Sequence, residues 1–271
     1  MKLSELTARL SCAGIDCAEL EARLLFKRHT DLSDAEMLLG DPSARSAALE
    51  NALARRLSGE PLAYILGDVD FFRESYLVTP DVLIPRPDTE CLVEYAVRHL
   101  PRGARFADLC TGSGCIAISI LASRPDTTAV AVDISPAALD VARQNAERNG
   151  VTDRISFLCA DALAPIAPDA LGRPDAVLSN PPYIASKVIE TLSAEVRHEP
   201  RLALDGGSDG LNFYRAMLGY LPTLMQSGMI LFEIGYDQET AITHLAEQVG
   251  LCCEVRRDYG GNPRVAVLRR P

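Results

Sequence analysis

The sequence predicts an α/β protein in which a doubly wound domain with a mostly parallel sheet follows a small helical region. Two observations predict this fold class. The continuous apolar character of buried parallel strands occurs near residues 105–110, 128–133, 155–159, 174–179 and 228–234. Helical segments alternate with these strands near residues 114–123, 136–148 and 211–226.

The N-terminal region has helical periodicity and no residue pattern that indicates chemistry. Leucines recur at helical spacing from Leu3 to Leu25, and Ser33 to Glu36 has the pattern of a capping box. We predict a helical domain over residues 1–60 that recognises a protein partner. Residues 61–84 are predicted to form a β-hairpin linker with extended segments at 64–67 and 71–79, followed by the α/β domain over residues 85–271.

Three further elements complete the predicted α/β domain. Pro87 favours the first turn of a helix that continues to about Leu100. Ser135 and Pro136 are typical of a helix start directly after Asp133. The C-terminal segments 252–256 and 264–268 surround a glycine turn, and they predict an antiparallel pair at the sheet edge.

Composition excludes several classes of protein. The 271 residues include 27 basic and 37 acidic ones, and the net charge of −10 disfavours direct nucleic-acid binding. The charge is compatible with a basic protein partner or simply with an acidic cytoplasmic protein. Eight cysteines without a C-x-x-C pair and four scattered histidines predict no metal site, and we expect reduced, mostly buried thiols. No apolar run has the roughly 20 residues of a membrane span, so we expect no membrane association and a cytoplasmic location.

A glycine-rich loop after the first parallel strand predicts a nucleotide-type site. Gly112 and Gly114 let the backbone approach a ligand, and Asp133 ends the next strand 19 residues later, where its carboxylate can accept ribose hydroxyls. Asp161 ends the third strand and could lie beside an adenine ring, together with Ala162. An ordinary glycine turn would explain the glycines but not Asp133.

Two cofactors fit this loop. Gly112, Gly114 and Ala117 satisfy the fingerprint of an NAD site. Asp108, however, is poorly placed beside a pyrophosphate and well placed near the ammonium of an amino-acid moiety. That placement favours S-adenosylmethionine, which carries ribose, adenine, ammonium and sulfonium but no phosphate.

The segment Asn180-Pro181-Pro182-Tyr183 follows the fourth predicted strand. The two prolines cannot continue a strand ladder, because they have no N–H to donate. The segment could therefore simply be a turn that ends the strand. The Asn180 amide oxygen and the Pro181 carbonyl can accept the hydrogens of an NH2 group, while Tyr183 packs on its planar face. Because the glycine loop and this segment end strands that are neighbours across the switch point, we predict methyl transfer to a planar amino or amide nitrogen, with Asn180, Pro181 and Tyr183 as catalytic residues.

The sequence resembles the HemK/PrmC family of protein-(glutamine-N5) methyltransferases over nearly its whole length. The resemblance rests on motif segments that extend from the linker to the C-terminal strands: residues 61–67, 83–90, 108–114, 180–183, 199–204, 209–211, 235–238 and 261–265. It implies a Rossmann-like class I S-adenosylmethionine-dependent methyltransferase that modifies the N5 amide of the glutamine in the Gly-Gly-Gln motif of peptide chain release factors, which act in translation termination. S-adenosylhomocysteine is the implied product.

The resemblance also implies residue roles. Donor contacts are implied at Cys110, Thr111, Gly112, Ser113, Gly114, Asp133, Ala162 and Asn180, with Arg86 and Pro87 closing over the donor. Glutamine contacts are implied at Asn180, Pro181, Pro182 and Tyr183. Some relatives carry an aromatic residue where Ala162 stands. The segment 83–90 could instead be a rigid interdomain connector, and residues 199–204 could border the substrate or form a surface connection.

Two other functions remain open from the sequence alone. The Asn-Pro-Pro-Tyr motif is shared with adenine-N6 DNA methyltransferases, which need a target-recognition surface and a flipped base. The chain has no sizeable extra domain after the motif and no tryptophan. The second alternative is a non-catalytic protein that binds an adenosyl ligand, although such a protein would be expected to tolerate loss of the intact Asn180–Tyr183 segment.

Overall fold

The computed structural model of the protein describes residues 1–225 and 228–271. The chain divides into two compact units. The helical unit comprises Met1–Gly67 and Ser193–His198, and the sheet unit comprises Asp68–Leu192 and Glu199–Pro271. Within the described residues, no helix is long and apolar enough to cross a membrane.

The helical unit contains five helices. They are α1 (Leu3–Cys12), α2 (Ala18–His29), α3 (Asp34–Leu39), α4 (Ala47–Leu57) and α5 (Leu62–Leu66). The apolar faces of α1, α2 and α4 meet in one core, because leucines three or four positions apart lie on the same helix face. Ser33 caps α3 as predicted, since its Oγ accepts a hydrogen bond from the Glu36 backbone N–H at 3.3 Å.

A buried arginine holds the segment Ser193–His198 within the helical unit. Arg56 is only 5% exposed and lies in the last turn of α4. Its guanidinium Nε donates to Glu21 Oε2 at 2.6 Å, and a second nitrogen donates to Glu195. A buried cation needs such partners, because an unpaired charge in the interior is strongly destabilising.

The linker region differs in part from the prediction. Residues 64–67 are not extended, because Leu62–Leu66 forms the short helix α5. Tyr64 and Ile65 are buried there, and Gly67 ends the turn with a left-handed φ of 82°. A hairpin does follow, but its strands differ from the predicted ones: β1 (Asp68–Phe71) is antiparallel to β2 (Glu74–Leu77), and the turn between them lies inside the segment 71–79 that was predicted to be extended.

The centre of the sheet unit is a seven-stranded sheet with the order β5-β4-β3-β6-β7-β9-β8. Its strands are β3 (Arg105–Leu109), β4 (Thr128–Asp133), β5 (Ile155–Cys159), β6 (Ala176–Ser179), β7 (Met229–Glu233), β8 (Cys252–Arg257) and β9 (Pro263–Arg269). The first five are parallel, and β8 and β9 form the antiparallel edge. All seven strands confirm the sequence prediction to within three residues at either end.

Helices cover both faces of this sheet. They are α6 (Glu90–His99), α7 (Cys115–Ser123), α8 (Pro136–Arg148), α9 (Ser186–Ile189), α10 (Asn212–Leu224) and α11 (Glu239–Gln248). One core packs residues of α6 and α7 against the sheet, and the second packs residues of α10 and α11 against the opposite face. The predicted end of α10 at residue 226 lies outside the described residues.

The strand order reverses between β3 and β6, because the chain runs outward from β3 to β5 and then crosses back to β6, and this reversal is the switch point of the sheet. The two strands are parallel neighbours, and Leu109 pairs with Ser179 at their carboxyl ends. The glycine loop and the Asn180–Tyr183 segment therefore leave the sheet side by side, as the sequence predicts.

The prediction of mostly buried thiols is wrong. Of the eight free cysteines, Cys115 alone is buried, whereas Cys12, Cys17, Cys159 and Cys252 are exposed. Cys159 ends β5 and Cys252 begins β8, so each lies where a strand leaves the packed layer. An apolar neighbourhood in sequence does not determine burial at the end of an element.

Candidate active site

A cavity of about 260 Å³ lies at the carboxyl ends of the parallel strands, entirely within the sheet unit. We refer to it as the strand-end cavity. It contains many of the residues predicted to bind donor or substrate: Arg86, Cys110, Thr111, Gly112, Ser113, Asp133, Asp161, Ala162, Asn180 and Pro182. Five predicted site residues do not line it, namely Pro87, Asp108, Gly114, Pro181 and Tyr183.

The glycine loop forms the floor of the strand-end cavity. The Gly112 N–H donates to Asp133 Oδ2 at 2.9 Å, which joins the ends of β3 and β4. Gly112 has a φ of 55°, and a Cβ there would meet no atom within 4 Å. Gly114 also has a positive φ, but a Cβ there would lie 2.8 Å from Ile118 and 3.2 Å from Ala142. Gly112 thus keeps the cavity open, whereas Gly114 permits the close packing of α7 and α8.

Asp108 lies beneath the loop rather than in the cavity. It is fully buried, and its Oδ2 accepts a hydrogen bond from the Thr111 hydroxyl at 2.6 Å. Burial raises the pKa of Asp108 to about 7, and the Thr111 hydrogen bond opposes that rise. The geometry therefore gives Asp108 a role in supporting the loop, and direct contact with an ammonium group would require the carboxyl to become accessible.

Asp133 is a carboxylate that lines the cavity. Its Oδ2 accepts from Gly112, and its Oδ1 accepts from the Ser135 N–H at 2.9 Å. Burial raises the pKa of Asp133, and these backbone hydrogen bonds oppose the rise. A carboxylate has about four lone-pair positions, so each oxygen keeps acceptor capacity for a ligand hydroxyl.

Residues after β5 form one wall of the cavity. Asp161 Oδ1 accepts from the Leu163 N–H at 2.9 Å, which closes a tight turn. The buried Ala162 is held by its carbonyl, which accepts from the Tyr220 hydroxyl at 3.2 Å. Leu163 and Ile134 remain 45% exposed where they line the cavity. Two apolar side chains beside a small residue suit a flat aromatic ligand.

The Asn180–Tyr183 segment forms the opposite wall and is held at each end. The Ser179 hydroxyl donates to the Leu109 carbonyl at 2.6 Å, and Asn180 Nδ2 donates to Thr89 Oγ1 at 3.2 Å. The Tyr183 carbonyl accepts from Gln238 Nε2 at 3.0 Å. Because Asn180 Nδ2 donates to Thr89 and Asn180 lines the cavity, the Oδ1 atom is the part of this amide that can accept a hydrogen from a ligand.

Two glycines fit tightly behind this segment. A Cβ on Gly206 would lie 2.7 Å from the Pro182 carbonyl oxygen, and one on Gly210 would lie 2.3 Å from the Tyr183 carbonyl oxygen. Both contacts are with backbone, which cannot move aside cheaply. The path of the segment is therefore fixed from behind as well as by its hydrogen bonds.

A buried carboxylate ties the segment before α6 to the cavity. Glu199 is 5% exposed; its Oε2 accepts from the Ile84 N–H at 3.0 Å, and its Oε1 pairs with Arg86. Pro87 is the first residue of a one-turn 3-10 helix, Pro87–Thr89, that leads into α6. Arg86 and Pro200 both line the cavity, so Glu199 joins two parts of its rim.

Sequence reasoning missed several residues that line the cavity, above all Thr89 and Ile134. Thr89 lies inside a motif that was recognised, and no pattern in the sequence indicates that its hydroxyl reaches Asn180. Ile134 could have been predicted from the sequence, because it directly follows Asp133 at the predicted end of a strand. An apolar side chain at such a position is exposed unless a ligand covers it. Among residues 1–225 and 228–271, no group of His, Cys, Asp or Glu side chains could hold a metal ion.

Comparison with known proteins agrees with this geometry. Residues 88–208 match the family model of the methyltransferase small domain, and residues 2–67 match that of the PrmC N-terminal domain. A release factor glutamine methyltransferase from Moorella thermoacetica is 41% identical, over 99% of this chain and 97% of its own length. One from Cereibacter sphaeroides is 42% identical, over 97% of this chain and 95% of its own length.

A solved structure supports the fold. The ribosomal protein L11 methylase from Lactobacillus delbrueckii subsp. bulgaricus has a TM-score of 0.51 at 19% identity, and the match covers 72% of this chain and 84% of the other. The sheet unit therefore has the Rossmann-like class I methyltransferase fold. Together with the full-length similarity to the two relatives, the paired family models show that the chain belongs to the release factor glutamine methyltransferase family.

Proposed function

We propose that this protein transfers a methyl group from S-adenosylmethionine to the side-chain amide nitrogen of the glutamine in the Gly-Gly-Gln motif of peptide chain release factors. The observation that carries the proposal is the adjacency of the glycine loop and Asn180 at the ends of the paired strands β3 and β6, on one cavity. Family membership favours methyl transfer over the hydride chemistry of an NAD site.

The residues of the cavity fit the donor. The open space at Gly112 admits the chain of an amino-acid moiety, and Asp133 has acceptor capacity for ribose hydroxyls. Ala162, Ile134 and Leu163 form an apolar slot for adenine. The donor supplies a methyl group on a sulfonium, which is a strong electrophile. Cys110, Thr111, Ser113 and Gly114 hold the loop that receives it, and Arg86 and Pro87 lie at the rim.

The Asn180–Tyr183 segment orients the acceptor nitrogen. Asn180 Oδ1 and the Pro181 carbonyl accept the two hydrogens of the glutamine NH2 group, and Tyr183 and Pro182 pack against its plane. These acceptors stabilise the positive charge that develops on nitrogen. Methyl transfer forms an N–CH3 bond as the S–CH3 bond breaks, the nitrogen then loses one proton, and S-adenosylhomocysteine leaves. The Asn180–Tyr183 segment would contribute to catalysis mainly by holding the nitrogen in line with the methyl group of bound S-adenosylmethionine.

The protein substrate and the helical unit follow from the same proposal. The release factor would insert the loop that carries its glutamine into the cavity, and the helical unit would recognise another part of the factor. A release factor substrate would place the enzyme in the cytoplasm. The net charge of −10 disfavours nucleic acid as the direct substrate, and no feature of the cavity favours the adenine-N6 alternative.

A methylation assay with labelled S-adenosylmethionine tests the proposal. The substrates are an unmodified release factor, its Gln→Ala variant at the Gly-Gly-Gln motif, and unmethylated DNA. We expect label on the glutamine amide of the natural factor and none on the variant, with the site identified by mass spectrometry. Label on DNA, or equal label on both factors, would contradict the proposal.

A further inference from the structure

Two buried polar side chains support the Asn180–Tyr183 segment, one of which, Thr89, lines the strand-end cavity while the other, Glu233, does not. We call Thr89 and Glu233 the support pair. Thr89 is 2% exposed and Glu233, the last residue of β7, is 1% exposed. Glu233 does not line the strand-end cavity. Burial of a carboxyl group costs folding free energy unless hydrogen bonds or charges compensate for it.

The support pair touches both polar side chains of the segment. Thr89 Oγ1 accepts from Asn180 Nδ2 at 3.2 Å, and Glu233 Oε1 accepts from the Tyr183 hydroxyl at 3.3 Å. Glu233 Oε2 is buried and makes no hydrogen bond of good geometry among the described residues. Glu233 Oε2 can therefore accept a hydrogen from a nearby hydroxyl group.

The hydroxyl groups near Glu233 are those of Thr89, Tyr183 and Tyr214. Burial raises the pKa of Glu233 to about 7, and the Thr89 hydroxyl, Arg264 and the Tyr183 hydroxyl lower it, while Asp88 raises it. Tyr214 and Cys115 also face the carboxyl, and Tyr214 donates to the Glu233 backbone carbonyl at 2.8 Å. Among these groups, Thr89 is the hydroxyl whose hydrogen has no other acceptor in the described hydrogen bonds.

The orientation of the Asn180 amide determines whether it can bind the substrate nitrogen. An amide can present either its oxygen or its NH2 group to the cavity, and only the oxygen can accept a hydrogen from the substrate nitrogen. A threonine hydroxyl can donate or accept, so alone it would not discriminate between the two orientations. An ionised carboxylate can only accept, so above its pKa of about 7 Glu233 removes that freedom from the hydroxyl.

We propose that Glu233 and Thr89 are positioning residues that fix the orientation of the Asn180 amide. Glu233 accepts the Thr89 hydroxyl hydrogen, Thr89 must then accept from Asn180 Nδ2, and Asn180 Oδ1 faces the cavity. Through Tyr183, the same carboxylate holds the aromatic ring at the other end of the segment. This inference rests on the proposed glutamine methylation and adds two residues to it.

Paired substitutions at Thr89 test the relay. Thr89→Val keeps the shape and removes the hydroxyl, whereas Thr89→Ser keeps the hydroxyl and removes a methyl group. We expect Thr89→Val to lower kcat by about tenfold or more, with donor affinity from calorimetry changed by less than about twofold. Thr89→Ser should recover most of the lost kcat. Equal kcat in the two variants, or a loss confined to donor affinity, would overturn the relay.

Substitution of Glu233 tests the carboxylate end of the relay from Glu233 through Thr89 to Asn180. Glu233→Gln retains the volume but introduces an NH2 donor, which can reverse the Thr89 hydroxyl and turn the Asn180 amide. We expect a fall in kcat at least as large as that of Thr89→Val, since Tyr183 also loses its charged acceptor. Wild-type kcat in a folded Glu233→Gln protein would reject the role of the carboxylate.

A measurement that needs no turnover separates this inference from the proposed function. Titration of the Glu233 carboxyl by ¹³C NMR should show a higher pKa in Thr89→Val than in the natural protein, and no such rise in Thr89→Ser. A pKa that is the same in all three proteins contradicts the relay. Absence of glutamine methylation by the natural enzyme contradicts the proposed function instead, and the titration still decides whether the relay exists.

Discussion

At the scale of single residues, Asn180 is the side chain on which the proposed chemistry depends most directly. Asn180→Ala removes the acceptor Oδ1 but leaves the flanking supports, the Ser179 hydroxyl and Gln238, in place. We expect kcat to fall by at least about 100-fold, as for other groups that stabilise developing charge. The midpoint of thermal unfolding and the donor affinity should change little. Near-normal turnover on a release factor would refute the role of the amide.

The two loop glycines predict a contrast between folding and binding. Both have a positive φ, so an alanine at either position costs about 1–2 kcal/mol of conformational strain. Gly114→Ala adds a clash with Ile118 and Ala142, and we expect the larger loss of unfolding free energy in urea titrations. Gly112→Ala adds no clash but places a methyl group at the cavity, and it should weaken donor affinity more than stability. The opposite ranking would show that Gly112 is not at the donor surface.

At the scale of elements, Glu199 connects two segments that form the rim of the cavity. Glu199→Gln loses the charge that pairs with Arg86 while keeping an acceptor for the Ile84 N–H. We expect the free energy of unfolding to fall by about 1–3 kcal/mol and the donor affinity to decrease, because Arg86 is no longer held.

A nearby ion pair provides the control for that prediction. Glu190 pairs with Arg201 at 2.9 Å on the surface, with side chains 70% and 57% exposed. Because exposed pairs contribute little, Glu190→Gln should leave stability and donor affinity essentially unchanged. Equal effects of the two substitutions would mean that burial of Glu199 gives it no special role.

Elements differ in how far the sequence could predict them. The parallel strands were predictable because burial on both faces leaves long apolar runs, and α8 was predictable from Ser135 and Pro136 at its start. Leu62–Leu66 was not, because one helical turn is too short to show a periodicity that distinguishes it from a strand. Glu233 is likewise read as the last residue of an apolar strand, and only the fold brings it to Tyr183.

The candidate site likewise contains residues that the sequence predicted and residues that only the fold brings together. Residues of the glycine loop and of the Asn180–Tyr183 segment were predicted because they are close together in the sequence and form recognisable motifs. The position of Asp108 below the loop was not, since an acidic residue before a glycine turn gives no indication of depth. Contacts between distant segments, such as Thr89 with Asn180, follow only from strand order and register.

At the scale of the whole molecule, two buried carboxyls predict a pH dependence of stability. The pKa values of Asp108 and Glu233 rise from 3.8 and 4.5 to about 7 in the folded protein. The unfolded chain therefore loses these protons at lower pH than the folded chain does. Stability from these groups is fully present below their ordinary pKa values and is lost as the pH rises towards and through about 7.

Urea unfolding at several pH values checks this dependence. We expect the natural protein to lose more unfolding free energy between about pH 4.5 and pH 8 than Asp108→Asn does, because the variant has one such group fewer. The difference between the two proteins isolates the carboxyl from other titrating groups. A parallel dependence in both would contradict the assigned pKa of Asp108.

The two prolines between Asn180 and Tyr183 have a consequence for observing this enzyme at work. Neither residue has an amide hydrogen, so within the segment proposed to hold the substrate only Asn180 and Tyr183 give a backbone signal in hydrogen exchange and amide-detected NMR. The nearest reporter is the Asn180 side-chain NH2, one hydrogen of which is held by Thr89. Its two resonances should register the arrival of a glutamine more directly than the backbone amides on either side of the prolines.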